Sequence, residues 1–241
     1  MIGTVNHCDW HETARRVGAS GGCDALICDP PYSERTHAAH LSGKRSDRCN
    51  MAKLGYDSLS AEDCRLFADS WSHVVRGWVV VMCDHGLAPA WADAWERAGR
   101  YVFSPIAYVV SGSRVRLAGD GPAQWSTWII VARPRCAPYS RWGSLPGAYV
   151  EPHGLDDRAG ASGRGGGPIR GSKSQWIMER LIEDYSRRGD LVVDPCCGTG
   201  TTLIAAETTR RRWIGGDCAL PQVERSRERL SRQVQIGLAF E

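Results

Sequence analysis

The stretch LVVDPCCGTGTT, residues 191–202, decides the fold. Its apolar start predicts a buried strand, Gly198 and Gly200 predict a tight turn, and the following LIAA, residues 203–206, predicts a helix. A strand that passes through a glycine turn into a helix lets a ligand approach backbone N–H groups and the positive end of the helix. Because glycine has no Cβ, this turn can adopt positive φ and leave room for a ligand. The stretch therefore predicts an α/β fold with a ligand-binding loop.

A second stretch, ALICDPPY at residues 25–32, also ends an apolar strand with polar groups. Asp29 adds a carboxylate, Pro30 and Pro31 remove two N–H donors, and Tyr32 adds an aromatic ring. In an open α/β sheet, ligands bind in the crevice beyond the carboxyl ends of the strands. We therefore expect an acceptor-rich tip that binds an –NH2 group. A strand that runs into a plain proline turn is the alternative interpretation of this stretch alone.

Together these stretches resemble a known enzyme family. DPPY at residues 29–32 resembles the catalytic motif of amino-group DNA methyltransferases, and DPCCGTGTT at 194–202 resembles their S-adenosylmethionine loop. The catalytic motif comes first and the cofactor loop last, as in the circularly permuted beta class. The resemblance implies a single catalytic domain over residues 1–241 with an α/β, Rossmann-like class I methyltransferase fold. It further implies a circularly permuted, mixed seven-stranded sheet with helices on both faces.

The resemblance also assigns roles to individual residues. The catalytic candidates lie in the first motif and are Asp29, Pro30, Pro31 and Tyr32. The candidates for binding S-adenosyl-L-methionine are Asp9, Asp29, Lys173, Asp194, Pro195, Cys196, Gly198, Gly200, Thr201 and Asp217.

Three of the cofactor-binding candidates have an imperfect match or a structural alternative. Lys173, expected at the methionine end of the cofactor, precedes Ser174 where the family usually has proline. Asp217, expected to bind the ribose hydroxyls, replaces the more common glutamate and also fits a strand-ending turn. Asp9, expected near the adenine, fits equally well as the cap of a helix over residues 10–17.

Composition narrows the function classes. A chain of 241 residues with 42% hydrophobic content is long enough for one large α/β domain, and its net charge of +3 permits a nucleic-acid partner without requiring one. The ten cysteines are scattered and form no Cys-x-x-Cys pair, which favours reduced structural thiols over disulfides or zinc, and we predict no metal site. The sequence has no signal peptide and no apolar run near 18 residues, so we expect a cytoplasmic protein that associates with the nucleoid through DNA.

The remaining segments predict how the chain is organised. Alternating strand and helix signals predict a parallel sheet, and two strand signals at 101–110 and 125–132 with no helix between them predict an antiparallel hairpin at its edge. A polar stretch at about 33–58 predicts a flap, and a Gly- and Pro-rich stretch at about 133–171 is a short candidate target-recognition segment. The candidate DNA-binding residues are Lys44, Arg45, Arg48, Arg114 and Arg116. For the first three, a solvated charge run is the alternative.

The family resemblance leads to a mechanistic hypothesis. An exocyclic amine of a nucleobase is a poor nucleophile because its lone pair is delocalised into the ring. Asp29 and the Pro30 carbonyl are expected to accept both amine hydrogens and favour a pyramidal nitrogen. The base must flip out of double-stranded DNA to reach them, and Tyr32 is expected to stack on it. Since an aspartate at the first motif position tends to accompany adenine N6 in the family, adenine is the preferred target.

Several alternatives remain open at this stage. The same site could methylate cytosine N4, or a nitrogen in RNA or protein, or the chain could be a catalytically silent DNA-binding relative. A nicotinamide oxidoreductase is disfavoured because the third glycine of its fingerprint is missing and the Pro-Pro-Tyr tip is present. The family resemblance is compatible with a homodimer and with a cognate restriction nuclease, and neither has its own signal in the sequence.

Overall fold

The computed structural model describes residues 2–36, 57–111, 122, 124–136, 142–152 and 172–238. The strands are β1 Thr4–His7, β2 Cys23–Cys28, β3 Val75–Cys83, β4 Arg100–Val102, β5 Ile106–Val110, β6 Ser126–Pro134, β7 Ala148–Glu151, β8 Leu191–Asp194 and β9 Arg212–Asp217. The helices are α1 Trp10–Ala19, α2 Ala61–Ser72, α3 Ala88–Arg97, α4 Gln175–Tyr185, α5 Thr201–Thr208 and α6 Leu220–Leu238.

All of these strands belong to one mixed sheet. Their order is β1-β9-β8-β2-β3-β6-β5-β7, and β4 pairs with β6. The first five strands in this order, β1, β9, β8, β2 and β3, are each parallel to their neighbours. Strand β6 runs antiparallel to β3, β4 and β5. The mixed α/β sheet and its antiparallel hairpin, now seen as β5 and β6, are confirmed.

The predicted number of seven strands is wrong for the described residues, which form nine. The strand predicted at 101–110 is divided, because only its ends pair with β6 as β4 and β5. The second additional strand is β7, which pairs in parallel with β5 and lies inside the Gly- and Pro-rich segment. The hairpin is therefore near the sheet edge, and β7 covers it.

The sheet is buried on both faces. Along β3, Val80 and Met82 pack into one apolar cluster, whereas Val79, Val81 and Cys83 pack into another on the opposite face. The first cluster contains residues of α4, α5 and α6, and the second contains residues of α1, α2 and α3. This two-sided burial explains why the central strands are continuous apolar runs.

Two further features of the chain follow from the described residues. None of their helices combines the length and the apolar character needed to cross a bilayer. Their cysteines are all free thiols, and five of them are buried: Cys23, Cys28, Cys64, Cys83 and Cys197.

Candidate active site at the carboxyl ends of the parallel strands

The two sequence motifs lie at one edge of the sheet. Strand β2 pairs in parallel with β8, and Leu26 lies opposite Val193, so Asp29 and the glycine loop follow the same ends of neighbouring strands. Strand β9 pairs with β8 on its other side, which places Asp217 at this edge as well. The arrangement needed for a shared crevice is therefore present.

The Asp29 carboxylate is bonded by two donors. The Tyr32 hydroxyl donates to Oδ1 at 2.8 Å, and Lys173 Nζ donates to Oδ2 at 2.7 Å. The side chains of Lys173 and Asp29 are 16% and 18% exposed, so this ion pair is largely removed from water. Lys173 Nζ also lies 4.8 Å from the centroid of the Tyr32 ring, within the range of a cation–π contact.

Tyr32 acts as a neutral donor in this cluster. Burial raises the pKa of its hydroxyl well above the usual range, and the neighbouring Asp29 charge raises it further. The hydroxyl therefore keeps its proton and can continue to donate to Asp29. This bond holds the carboxylate in one orientation.

Asp84, at the end of β3, fixes the backbone that follows Tyr32. Its Oδ2 accepts from the Ser33 amide at 3.1 Å and from the hydroxyls of Ser33 and Thr36, and its Oδ1 accepts from the Leu87 amide at 2.9 Å. Burial acts to raise the pKa of Asp84, but these hydrogen bonds outweigh it and lower the pKa. Asp84 directly follows the apolar run of β3, but no sequence motif indicates this positioning role.

The glycine loop is held by hydrogen bonds from its backbone amides. Its amides at residues 196, 197, 198 and 200 are all bonded within the protein, to Asp194 Oδ1, Gly216 O, Asp217 Oδ2 and Cys197 O respectively. Gly198 and Gly200 have φ of +50° and +82°. A Cβ at Gly200 would lie 2.3 Å from Ser226 Oγ, whereas a Cβ at Gly198 would meet nothing within 4 Å. Gly200 is thus needed for packing against α6, and Gly198 borders open space.

Asp194, at the end of β8, is sealed beneath this loop. It is 1% exposed and accepts the Cys196 amide at 3.0 Å. Burial raises the pKa of Asp194 to about 7, although hydrogen bonds from Thr202 and the Cys196 amide oppose the shift. Its carboxylate supports the loop from inside.

Asp217 and Asp9 lie at the next strand ends. Both Asp217 oxygens accept backbone amides, from Gly198 at 2.8 Å and from Ala219 at 2.9 Å, and burial raises its pKa. Asp9 Oδ1 accepts the Glu12 amide at 2.8 Å and caps α1, so the capping interpretation of Asp9 is confirmed. Because β1 pairs in parallel with β9, Asp9 follows the same sheet edge as Asp217, and the cofactor roles of both residues stay predictions.

Two consecutive residues connect the two motifs. Ser172 Oγ lies 2.7 Å from the hydroxyl of Thr201, at the start of α5, and the adjacent Lys173 binds Asp29. Lys173 was expected at the methionine end of the cofactor, and here its ammonium contacts Asp29 and the Tyr32 ring of the candidate catalytic motif. That predicted cofactor role stays a prediction.

An arginine of helix α6 forms hydrogen bonds with the glycine loop. Arg229 Nη1 donates to the Thr199 carbonyl at 2.6 Å, to the Thr199 hydroxyl at 3.0 Å and to the Thr201 hydroxyl at 3.3 Å. Burial lowers the pKa of Arg229, and the nearby Arg225 lowers it further. In the sequence, Arg229 was one of many arginines in an Arg-rich helix, and nothing distinguished it.

Solved structures of DNA methyltransferases share this architecture. The crystal structure of the M1.HpyAVI–SAM complex superimposes with a TM-score of 0.66 at 18% identity, covering 94% of this chain and 98% of that chain. PvuII DNA methyltransferase, which is cytosine-N4-specific, gives a TM-score of 0.61 at 16% identity and covers 97% and 91%. At these identities the similarity establishes the class I methyltransferase fold.

Local sequence matches to known proteins cover part of the chain. A family model described as DNA methylase matches residues 156–226. Type II methyltransferase M.EcaI of Enterobacter cloacae is 48% identical over 44 residues, which are 18% of this chain and 10% of that protein. Type II methyltransferase M2.DpnII of Streptococcus pneumoniae is 34% identical over 61 residues, which are 25% of this chain and 23% of that protein. These findings support assignment to the amino-methyltransferase family.

The family model includes the glycine loop but not the motif at residues 29–32. The segment at 156–226 includes Lys173, the glycine loop and Asp217, whereas Asp29 lies outside it. The chain spans less than a quarter of the length of either curated relative. The predicted DNA-binding residues lie outside the described residues, as do most of the flap and the candidate target-recognition segment; they are Lys44, Arg45, Arg48, Arg114 and Arg116.

Proposed function

We propose that this protein of the amino-methyltransferase family is a site-specific DNA methyltransferase that uses S-adenosyl-L-methionine. Its target is the exocyclic amine of a flipped-out base in double-stranded DNA, with adenine N6 preferred. The main support is the link between the two motifs through Ser172 and Lys173, which contact Thr201 and Asp29 respectively. A group held at the glycine loop is thereby adjacent to the acceptors of the catalytic tip.

The residues at the sheet edge fit a cofactor with an adenosine and an amino-acid portion. Open space borders Gly198, and carboxylates follow the ends of β1, β8 and β9. The residues proposed to hold the cofactor are Asp9, Asp29, Lys173, Asp194, Pro195, Cys196, Gly198, Gly200, Thr201 and Asp217. When bound, S-adenosyl-L-methionine supplies a methyl group on a positively charged sulfur. Asp194 and Asp217 act through the loop, because their oxygens bind its amides.

The catalytic tip binds and orients the target amine. Asp29 and the Pro30 carbonyl accept its two hydrogens, which favours a nitrogen whose lone pair points away from the base plane. The Tyr32 hydroxyl holds the Asp29 carboxylate in place, and the Tyr32 ring offers a stacking face. Pro31 restricts the backbone between them. Alignment and electrostatic placement then supply most of the rate enhancement.

The experiment is transfer of labelled methyl groups to unmethylated genomic DNA. The wild type is expected to label DNA, and Asp29→Ala is expected to abolish labelling while calorimetry shows a far smaller loss of cofactor affinity. Arg180→Ala, which removes an exposed ion pair with Glu183 on α4, is the matched control and should keep its activity. Full turnover by Asp29→Ala contradicts the role of Asp29. Labelling of RNA or peptide in place of DNA contradicts the proposed substrate class.

The identity of the base follows from the same reaction. Labelled DNA is digested to nucleosides, and mass spectrometry identifies the modified one. The aspartate at the first motif position favours N6-methyl-2′-deoxyadenosine by family resemblance. N4-methyl-2′-deoxycytidine in the digest would replace adenine with cytosine and leave the reaction type unchanged.

The remaining partners are proposed on family resemblance alone. A homodimer predicts twice the chain mass of 26.5 kDa in light scattering. A cognate restriction nuclease predicts that DNA methylated by this protein resists one endonuclease from the same host. A monomeric mass or unprotected DNA contradicts the respective partner.

A further inference from the structure

Lys173 occupies the place at the catalytic tip where the proposed function puts the target base. Its ammonium donates to Asp29 Oδ2 at 2.7 Å and lies 4.8 Å from the Tyr32 ring centroid. These are the two contacts that the proposed function assigns to the base, a hydrogen bond from its amine to Asp29 and stacking on Tyr32. The Lys173 ammonium therefore makes both contacts, with Asp29 and with the Tyr32 ring.

The position of Lys173 just before α4 indicates that the contact does not serve the helix. Lys173 immediately precedes Ser174, whose hydroxyl caps the N-terminus of α4. A helix N-terminus carries partial positive charge, so a lysine there is unfavourable for the helix itself. The favourable interaction is with Asp29, across a separation of 144 residues in the chain.

The other Asp29 oxygen does not offer an equivalent free place. Oδ1 accepts the Tyr32 hydroxyl, whose raised pKa keeps it protonated. An amine that approaches Asp29 therefore finds a donor already bound to each oxygen, and at Oδ2 it must share or replace the Lys173 contact. A base that stacks on Tyr32 meets the same ammonium near the ring.

We propose that Lys173 is an internal occupant of the target-base subsite, which the flipped base displaces before methyl transfer. The proposal rests on the proposed function. While the subsite is empty of base, the ammonium also balances the Asp29 charge in a largely buried site. Displacement opposes base capture, so Lys173 makes the subsite selective for a base that binds both Asp29 and Tyr32.

The test measures base flipping directly. Sequencing of modified bases in DNA from cells that express the protein first supplies the recognition site. A duplex with that site then carries 2-aminopurine beside the target base, because its fluorescence rises when the neighbouring base leaves the stack. The full chain is titrated into this duplex without cofactor, at pH 8. The variants are Lys173→Met, of similar length without charge, Lys173→Arg, which keeps the charge, and Arg180→Met as the charge-loss control on α4.

Lys173→Met is expected to flip the base at a roughly five-fold lower protein concentration than the wild type. This gain runs against electrostatics, since loss of a positive charge normally weakens DNA binding. Arg180→Met should show unchanged or slightly weaker flipping, and Lys173→Arg should resemble the wild type. A lysine with a merely structural role predicts weaker flipping by Lys173→Met, and unchanged or weaker flipping overturns the proposal.

Two controls keep the result interpretable. In an Asp29→Asn background the ion pair is already lost, so Lys173→Met should add little further gain; a full additional gain contradicts displacement from Asp29. If Lys173→Met unfolds, as judged by circular dichroism, Lys173→Gln replaces it. Wild-type protein that labels no DNA rejects the proposed function, whereas wild-type labelling with no gain in Lys173→Met rejects only the inference.

Discussion

The same dipeptide stands at the ends of two strands of this sheet, Asp29-Pro30 directly after β2 and Asp194-Pro195 from the last residue of β8, and the two carboxylates have opposite environments. The Asp29 side chain is 18% exposed and pairs with the Lys173 ammonium. Asp194 is 1% exposed and accepts a backbone amide of its own loop. Neighbouring positions in one sheet thus produce one carboxylate that faces the crevice and one that is sealed.

The difference shows how a strand end acquires its role. An ionised carboxylate in a low-dielectric site needs a cation or several donors, and Asp29 has Lys173 and Tyr32. Asp194 has no cation among its described hydrogen-bond partners, and burial raises its pKa to about 7. Asp29 is therefore suited to accept from a substrate, and Asp194 to support a turn.

The strongest test of this comparison is to neutralise each carboxylate in turn. Asp29→Asn replaces an acceptor with an amide that cannot balance Lys173, so we expect methyl transfer to fall by about 10³-fold, in the range of a lost electrostatic contact to a transition state. Asp194→Asn keeps an acceptor for the Cys196 amide and should lose much less. Initial rates with labelled cofactor measure both. Equal losses would remove the functional distinction between the two tips.

The glycine loop gives the next largest effect. Gly198→Val places a side chain in the open space beside the loop, and we expect cofactor affinity in calorimetry to fall by at least about 10²-fold, near 3 kcal/mol. Gly189→Val is the matched control, because Gly189 also has positive φ and open space but precedes β8 at the opposite edge of the sheet. Both variants carry the backbone strain, so both should melt at lower temperature. Unchanged affinity in Gly198→Val contradicts the loop assignment.

The pH dependence of stability tests the sealed carboxylate. The pKa of Asp194 is raised from 3.8 to about 7 by burial, so the folded state favours the protonated form. Its contribution to stability is fully present below pH 3.8 and is lost as pH rises through about 7. Asp194→Asn should therefore gain stability relative to the wild type between pH 5 and pH 8, by about 3 kcal/mol. Urea unfolding at pH 5 and pH 8 measures the free energy of unfolding of both proteins. If the difference between the two proteins is the same at both pH values, the raised pKa is contradicted.

The sequence predicted the strand ends more completely than their surroundings. The apolar runs before Asp29 and Asp194 and the glycines after Asp194 are local signals, and they located both tips and their common edge. The partner of Asp29 was missed because Lys173 reaches it across 144 residues, a contact that depends on how α4 docks. The burial of Asp194 was missed because it too depends on how distant parts of the chain pack and not on a local sequence pattern.

Strand β7 shows a second limit of sequence reasoning. It has only four residues, and one of its two buried side chains is Glu151, which a hydrophobic pattern assigns to the surface. In the fold, Glu151 accepts the Tyr108 hydroxyl, and Tyr149 donates to Asp184 at 2.7 Å. These polar partners come from β5 and α4, so the strand is visible only when the sheet is assembled.

The smallest expected effect concerns the hydrogen bonds that Arg229 of α6 makes to the glycine loop after β8. Arg229→Met removes the hydrogen bonds to Thr199 and Thr201, and we expect cofactor affinity to fall roughly five-fold, about 1 kcal/mol, because the loop loses a brace but keeps its own backbone bonds. Arg229→Lys keeps one donor and should recover part of the loss. Arg225→Met, at an exposed position of the same helix, controls for charge. A larger KM for cofactor with unchanged kcat separates this positioning role from a catalytic one. A fall in kcat alone would mean that Arg229 affects the candidate catalytic motif after β2. In that case the glycine loop and that motif could not be treated as separate sites.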